Sequence, residues 1–206
     1  MKVARIGAAG SAVAAIVVGA AVAGCGGSNN ASPTPSVTAS RSAGASISSS
    51  VASPAPGQPT DYSALLIKPA DIGGDLTAPQ PPVLNPNNAP GVAQLFASPD
   101  NSRRIGDSIL IVADPATAAA GIVNTKANYG GKVSGTWQPV DVGSDGTMIS
   151  GTSPDNSQAV TVLLFSEGRA LVNIEFDTAV ADPIDPAVAV DIGRKQDAAI
   201  KNGLPG

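Results

Sequence analysis

Apolar and polar positions alternate most clearly in AVTVLLFSEGRALVNIEF, residues 159–176. Two runs rich in β-branched and aromatic residues flank Glu167-Gly168, and the spacing predicts a hairpin turning at those two residues. That turn pairs Ala159 with Phe176, Thr161 with Ile174, Leu163 with Val172 and Phe165 with Ala170 on one nearly apolar face. The other face carries Val160 with Glu175 and Val162 with Asn173. One apolar and one mixed face is the signature of an antiparallel sheet covered on one side, so Asn173 and Glu175 are expected to reach water. Further strands are expected at Ser108–Ala113, at Thr147–Gly151, near Phe96, and over KVSGTW, residues 132–137.

A period of 3.6 replaces the period of two in two places, each announced by Asp-Pro. Asp114 can cap a helix with Pro115 at its first position, running to Gly130-Gly131; Asp185 and Pro186 repeat the signal, and that helix runs to Gly203. In the second helix Val188, Ile192 and Ala199 form the expected apolar stripe, with Arg194, Lys195 and Asp197 toward water. A shorter helix is expected within YSALLIKPADIGG, residues 62–74. The sum is an α+β fold: a curved antiparallel sheet with helices packed on one face, preceded by a signal peptide and a disordered tether.

All aromatic residues lie after position 60, which sets the boundary of a globular α+β domain at 61–206. A domain of this length can bury a sufficient core without staples. Residues 26–60 are dominated by Ser, Thr, Ala, Pro and Gly and hold one charge, Arg41. Such a segment cannot bury enough apolar surface to offset its ordering entropy. It reads as a disordered spacer, with a span of about 30 Å as a flexible coil. Before it, residues 1–24 have the form of an export signal: Lys2 and Arg5, an apolar middle, then small residues.

Composition narrows the chemistry. The chain has no histidine and one cysteine, Cys25. Histidine-based nucleophile systems, His/Cys zinc sites and internal disulfides are therefore unavailable. The formal charge is −4, and a chain starting at Cys25 would lose Lys2 and Arg5 and become more acidic. Without a clustered basic patch, no nucleic acid is expected among the partners.

Val22-Ala23-Gly24-Cys25 resembles the lipobox of bacterial lipoproteins. The resemblance implies cleavage before Cys25, a diacylglyceryl thioether on its sulfur and often an acyl group such as palmitate on the new amino group. Residues 25–60 then become a lipidated cysteine and its tether. Two or three acyl chains hold a protein on a membrane essentially permanently, where one does so only marginally. The order of lipobox, Ser/Pro-rich tether, LLIKPADIGG, ADPATAAAGIV, the 159–176 hairpin and KQDAAIKNG is similar to small mycobacterial and actinobacterial envelope lipoproteins, including those like extracellular sensor domains. The location implied is the extracytoplasmic side of the cell membrane.

The candidate chemistry is thin. DVGSDG, residues 141–146, places Asp141, Asp145 and Gly146 as a calcium loop would, but Gly143 stands at the third ligand and Thr152 at the twelfth, so a turn accounts for the letters. Glu175 and Asp177 are assigned to opposite faces of a strand, and Asp182 and Asp185 to helix starts. No catalytic residue, metal or cofactor is expected. The reading is a lipid-anchored binding or sensing module without catalysis; the alternatives are a carrier of an apolar small molecule such as a lipid, and an envelope hydrolase. An enclosed lined space of about 300 Å³ or more favours the carrier, and a filled core favours surface recognition of a protein or apolar ligand.

Overall fold

The computed structural model describes residues 61–204. The signal segment, Cys25 and the tether lie outside the described residues. The 3₁₀ turn Ser63–Leu65 and the short helix α1, Pro69–Ile72, come first. Seven strands follow: β1 Val83–Leu84, β2 Gly91–Ala97, β3 Arg104–Ile111, β4 Gln138–Pro139, β5 Ser144–Thr152, β6 Ala159–Glu167 and β7 Ala170–Thr178. Helix α2, Pro115–Asn128, connects β3 to β4, and α3, Pro186–Gly203, ends the described chain. The sheet is antiparallel throughout, in the order β1-β2-β3-β7-β6-β5-β4.

Both long helices start where Asp-Pro sets them. The Asp114 carboxylate accepts from the Thr117 N–H at 2.7 Å and Asp185 from the Ala187 N–H at 2.8 Å, satisfying donors that the first turn leaves free. The helix expected within 62–74 is instead the 3₁₀ turn and α1, separated by an extended Lys68 whose N–H is taken by Asp71 at 2.8 Å. No strand forms over 132–137; the pairing begins one residue later, at Gln138.

The fold is α+β as expected, but the helices occupy both faces. Leu163 and Phe165 of β6 join Val172, Ile174, Phe176, Ile192 and Ile200 in one core, under α3. Val162 and Leu164 join Ile122, Val133 and Ile149 in a second, under α2. The reason is visible in β6: every residue from Ala159 to Ser166 is buried, so this central strand has no water-facing side. The stripe of α3 also differs from the expected one. Ala189, Ile192, Gly193, Gln196 and Ile200 are buried, Val188 is exposed, and Asp197 lies inward with Lys201 on its carboxylate at 2.7 Å. A Cβ on Gly193 would run into the Leu163 side chain, so glycine lets α3 approach β6 closely there. Gln196, fully buried, accepts from Ile67 N–H at 3.0 Å and donates to the Leu65 carbonyl at 2.7 Å, tying the leading segment to α3.

The hairpin turns at Gly168-Arg169, one residue later than expected, so Leu163 pairs with Ile174 and Phe165 with Val172. Gly168 takes φ +53, the positive angle a tight hairpin requires at its first loop position. The partners shift by two residues along β7, which preserves the faces.

The sheet contains an internal repeat. Ser98-Pro99-Asp100-Asn101-Ser102 joins β2 to β3, and the same five residues, Ser153 to Ser157, join β5 to β6. The turns are built alike. Asp100 Oδ1 accepts from Ser98 Oγ at 2.7 Å, Ser102 Oγ at 2.8 Å and Ser102 N–H at 3.0 Å; Asp155 Oδ1 accepts from Ser153 and Ser157 at 2.7, 2.8 and 3.1 Å. Asn101 and Asn156 take φ +57 and +54. The repeat extends into the ladders: Ala97 pairs with Arg104 as Thr152 does with Ala159, Gln94 with Asp107 as Ile149 with Val162, and Val83 with Ala93 as Gln138 with Met148. Both β3 and β6 run antiparallel to β7 and so parallel to each other. Equivalent residues point to opposite faces: Ile105 and Ile109 enter the first core, Val160 and Leu164 the second. The two halves are thus related by a half-turn about the direction of β7.

Candidate functional site

The repeat makes one departure from regularity easy to locate. In the first half β2 and β3 pair without a break from Gly91 to Ala97. In the second half the β5–β6 ladder slips between Ser144 and Thr147, leaving three steps on β5 against two on β6. This is a β-bulge, a device that re-aims side chains next to binding sites. Within it Asp145 takes φ +56, a left-handed conformation where the first half has Pro90.

The bulge forms one wall of a groove of about 610 Å³ between α2 and the β4–β5 edge. Helix α2 buries Ala118, Ile122 and Thr125 against the sheet and turns Ala119, Ala120 and Val123 into the groove. Val123 is 68% exposed. Trp137 and Pro139 form the opposite side, with Asp145 and Thr147 beyond. The Lys126 ammonium stands 5.4 Å over the Trp137 ring, a cation–π contact, and has no carboxylate partner among the described residues. Asp145 is exposed and, among the described residues, makes neither a hydrogen bond nor an ion pair. The volume falls in the range of small-molecule sites. The space is open at the surface and is not a chamber inside a core.

Trp137 is backed by a polar relay on the sheet. The Tyr129 ring meets it edge-on, centroids 6.2 Å apart at 69°. The Tyr129 hydroxyl donates to Glu175 Oε2 at 2.6 Å and accepts from Asn173 Nδ2 at 2.9 Å. Burial raises the Glu175 carboxyl above the ordinary range, although the Tyr129 bond works against it. Burial, followed by the Glu175 charge, raises the Tyr129 hydroxyl further. Asn173 and Glu175, expected in water, are half-buried because α2 ends on them. Asp177 shares their face, since alternation returns to the same side every second residue, and Arg104 pairs with it at 3.0 Å. The assignment of Glu175 and Asp177 to opposite faces is therefore wrong.

The remaining sequence candidates come out as structural groups. Asp141 pairs with Arg194 at 3.0 Å and Asp182 with Arg103 at 2.7 Å. Residues 141–146 lead into β5, and among the described residues no three His, Cys, Asp or Glu side chains gather as metal ligands. No helix among the described residues is long and apolar enough to cross a membrane. Asp145 belongs to the calcium-like letters of 141–146, whereas Trp137 and Lys126 carry no motif; only folding brings the three together.

No protein family and no curated protein matches the chain. Among solved structures it is similar to the extracellular domain of PknH from Mycobacterium tuberculosis, with 12% identity and a TM-score of 0.49, covering 68% of this chain and 94% of that one.

Proposed function

We propose that the chain is a lipid-anchored, extracytoplasmic binding or sensing module of a bacterial envelope, held by a diacylglyceryl group on Cys25 and taking a small ligand in the α2/β4–β5 groove. The observation that carries the binding reading is the bulge: in a sheet whose halves otherwise agree residue by residue, the irregular step and the left-handed Asp145 fall at the groove. The lipobox-like Val22–Cys25 supports the anchoring and the location. Binding without catalysis fits a groove whose polar groups are a lysine, an aspartate and a threonine hydroxyl already donated to the Gln138 carbonyl at 3.2 Å.

The carrier reading keeps one observation in its favour, the apolar floor of Ala119, Ile122 and Val123. The hydrolase reading has none, since Tyr129 and Arg104 already hold Glu175 and Asp177. Trp137 is the only tryptophan, so its emission reports on the groove directly. The full-length protein in detergent should show a saturable emission change with a fraction of envelope extract. An unchanged spectrum across all aqueous and organic fractions would count against binding at this site.

A further inference from the structure

Resting on that reading of the groove, we propose that its ligand is a zwitterion with an apolar body, a short peptide with free amino and carboxylate ends. Over the rest of the described chain, ion pairs join Arg103 with Asp182, Arg104 with Asp177, Arg194 with Asp141, Lys195 with Asp191 and Lys201 with Asp197, while Lys68, Lys132 and Arg169 stand outside any ion pair among the described residues. The groove presents one cation and one anion, Lys126 and Asp145, which make no ion pair with each other or with any other charge among the described residues. Lys126 is half-buried with its ammonium over the Trp137 ring, and an anionic ligand group would give it a charge-assisted bond. Asp145 stands on the bulge, where its left-handed φ sets the course of the backbone past the groove.

A ligand carrying only an anion would satisfy Lys126 and leave Asp145 repelling it, and a simple cation would fare the reverse way. A purely apolar ligand would cover Lys126 without pairing it, which is unfavourable for a charge losing solvent. A peptide with free ends supplies a carboxylate for Lys126 and an ammonium for Asp145. Its small side chains suit the Ala119, Ala120 and Val123 wall, and its planar amides can lie against Trp137. The groove volume of about 610 Å³ accommodates such a short chain.

Isothermal titration calorimetry on the full-length protein in detergent tests this with four probes: trialanine, its N-acetyl form, its C-terminal amide and the doubly capped form. The wild type should bind trialanine at least tenfold more tightly than the doubly capped peptide. Acetylation should weaken binding to the wild type but hardly matter to Asp145→Asn, and amidation should hardly matter to Lys126→Met. Equal affinity for free and capped peptides overturns the proposal, as does a charge preference that both variants retain. An emission response of Trp137 to envelope extract together with no heat from any peptide overturns the zwitterion alone. Silence of both overturns the groove reading as well.

Discussion

Tyr129, at the end of α2, gives its hydroxyl proton to Glu175 of β7 across 2.6 Å, and the edge of the same ring supports Trp137. One residue thus links the sheet to the groove wall. Tyr129→Phe keeps the ring and removes the donor, leaving a half-buried carboxylate with one fewer bond. The expected loss is about 1–3 kcal/mol, read by thermal or urea unfolding. Emission of Trp137 should stay near that of the wild type, because the ring remains. Tyr129→Ala should change both readings, and an emission change in Tyr129→Phe equal to that of Tyr129→Ala would show that the hydroxyl, rather than the ring, positions Trp137.

Asp107 lies on the apolar face of β3, between Gln94 and Ile174, with neither carboxylate oxygen hydrogen-bonded. Burial alone pushes its carboxyl up to about 7. The unfolded chain releases that proton near pH 4. Between about pH 4 and 7 the folded protein keeps a proton that the unfolded chain gives up, so Asp107 contributes a stability that is complete below this window and lost as pH rises through it. The loss is on the order of 4 kcal/mol. Burial raises Glu175 and Asp177 in the same direction, and the turn bonds hold Asp100 and Asp155 down at about 2, below the window. The difference between wild type and Asp107→Asn isolates the one group. The variant should melt higher at pH 7.5, with the gap closing toward pH 4; a gap independent of pH would contradict the assignment.

The repeated turns make a symmetric prediction. Asp100→Ala and Asp155→Ala remove the same three acceptor bonds, so they should lower the melting temperature by similar amounts, and the double variant by their sum, the two turns lying in separate halves of the sheet. A large loss in one and none in the other would show that the repeat is one of shape and not of energy.

Anchoring is checked apart from the fold. Cys25→Ser should leave the signal uncut and the protein without the mass of acyl chains. An unmodified Cys25 in the intact mass of the mature wild type would contradict lipidation.

Much of the fold is legible in the letters because it is local. Asp114-Pro115 and Asp185-Pro186 carry their own capping chemistry, and the alternation along β7 assigns its faces under either turn position. The register depends on which residue takes the positive φ, and Glu167-Gly168 and Gly168-Arg169 both place Gly168 in the loop. Helices on both faces are foreshadowed by the nearly unbroken apolar run of β6, a pattern of a strand buried on both sides. The duplicated Ser-Pro-Asp-Asn-Ser is also plain in the sequence, although its meaning emerges only from identical ladders. The groove is not legible: Lys126, Trp137 and Asp145 come from a helix, a loop and a bulge, and no spacing rule joins them.

The groove as binding site is tested most directly by blocking it. Val123 is exposed on the groove wall, so Val123→Arg should fill the space without disturbing a core. Native mass spectrometry compares wild type and variant, each extracted full-length from its own membrane, with melting curves to confirm equal folding. A noncovalent small-molecule adduct is expected on the wild type and is expected to be absent from Val123→Arg. The same adduct on both, at equal occupancy, would place the ligand elsewhere and contradict the groove as its site.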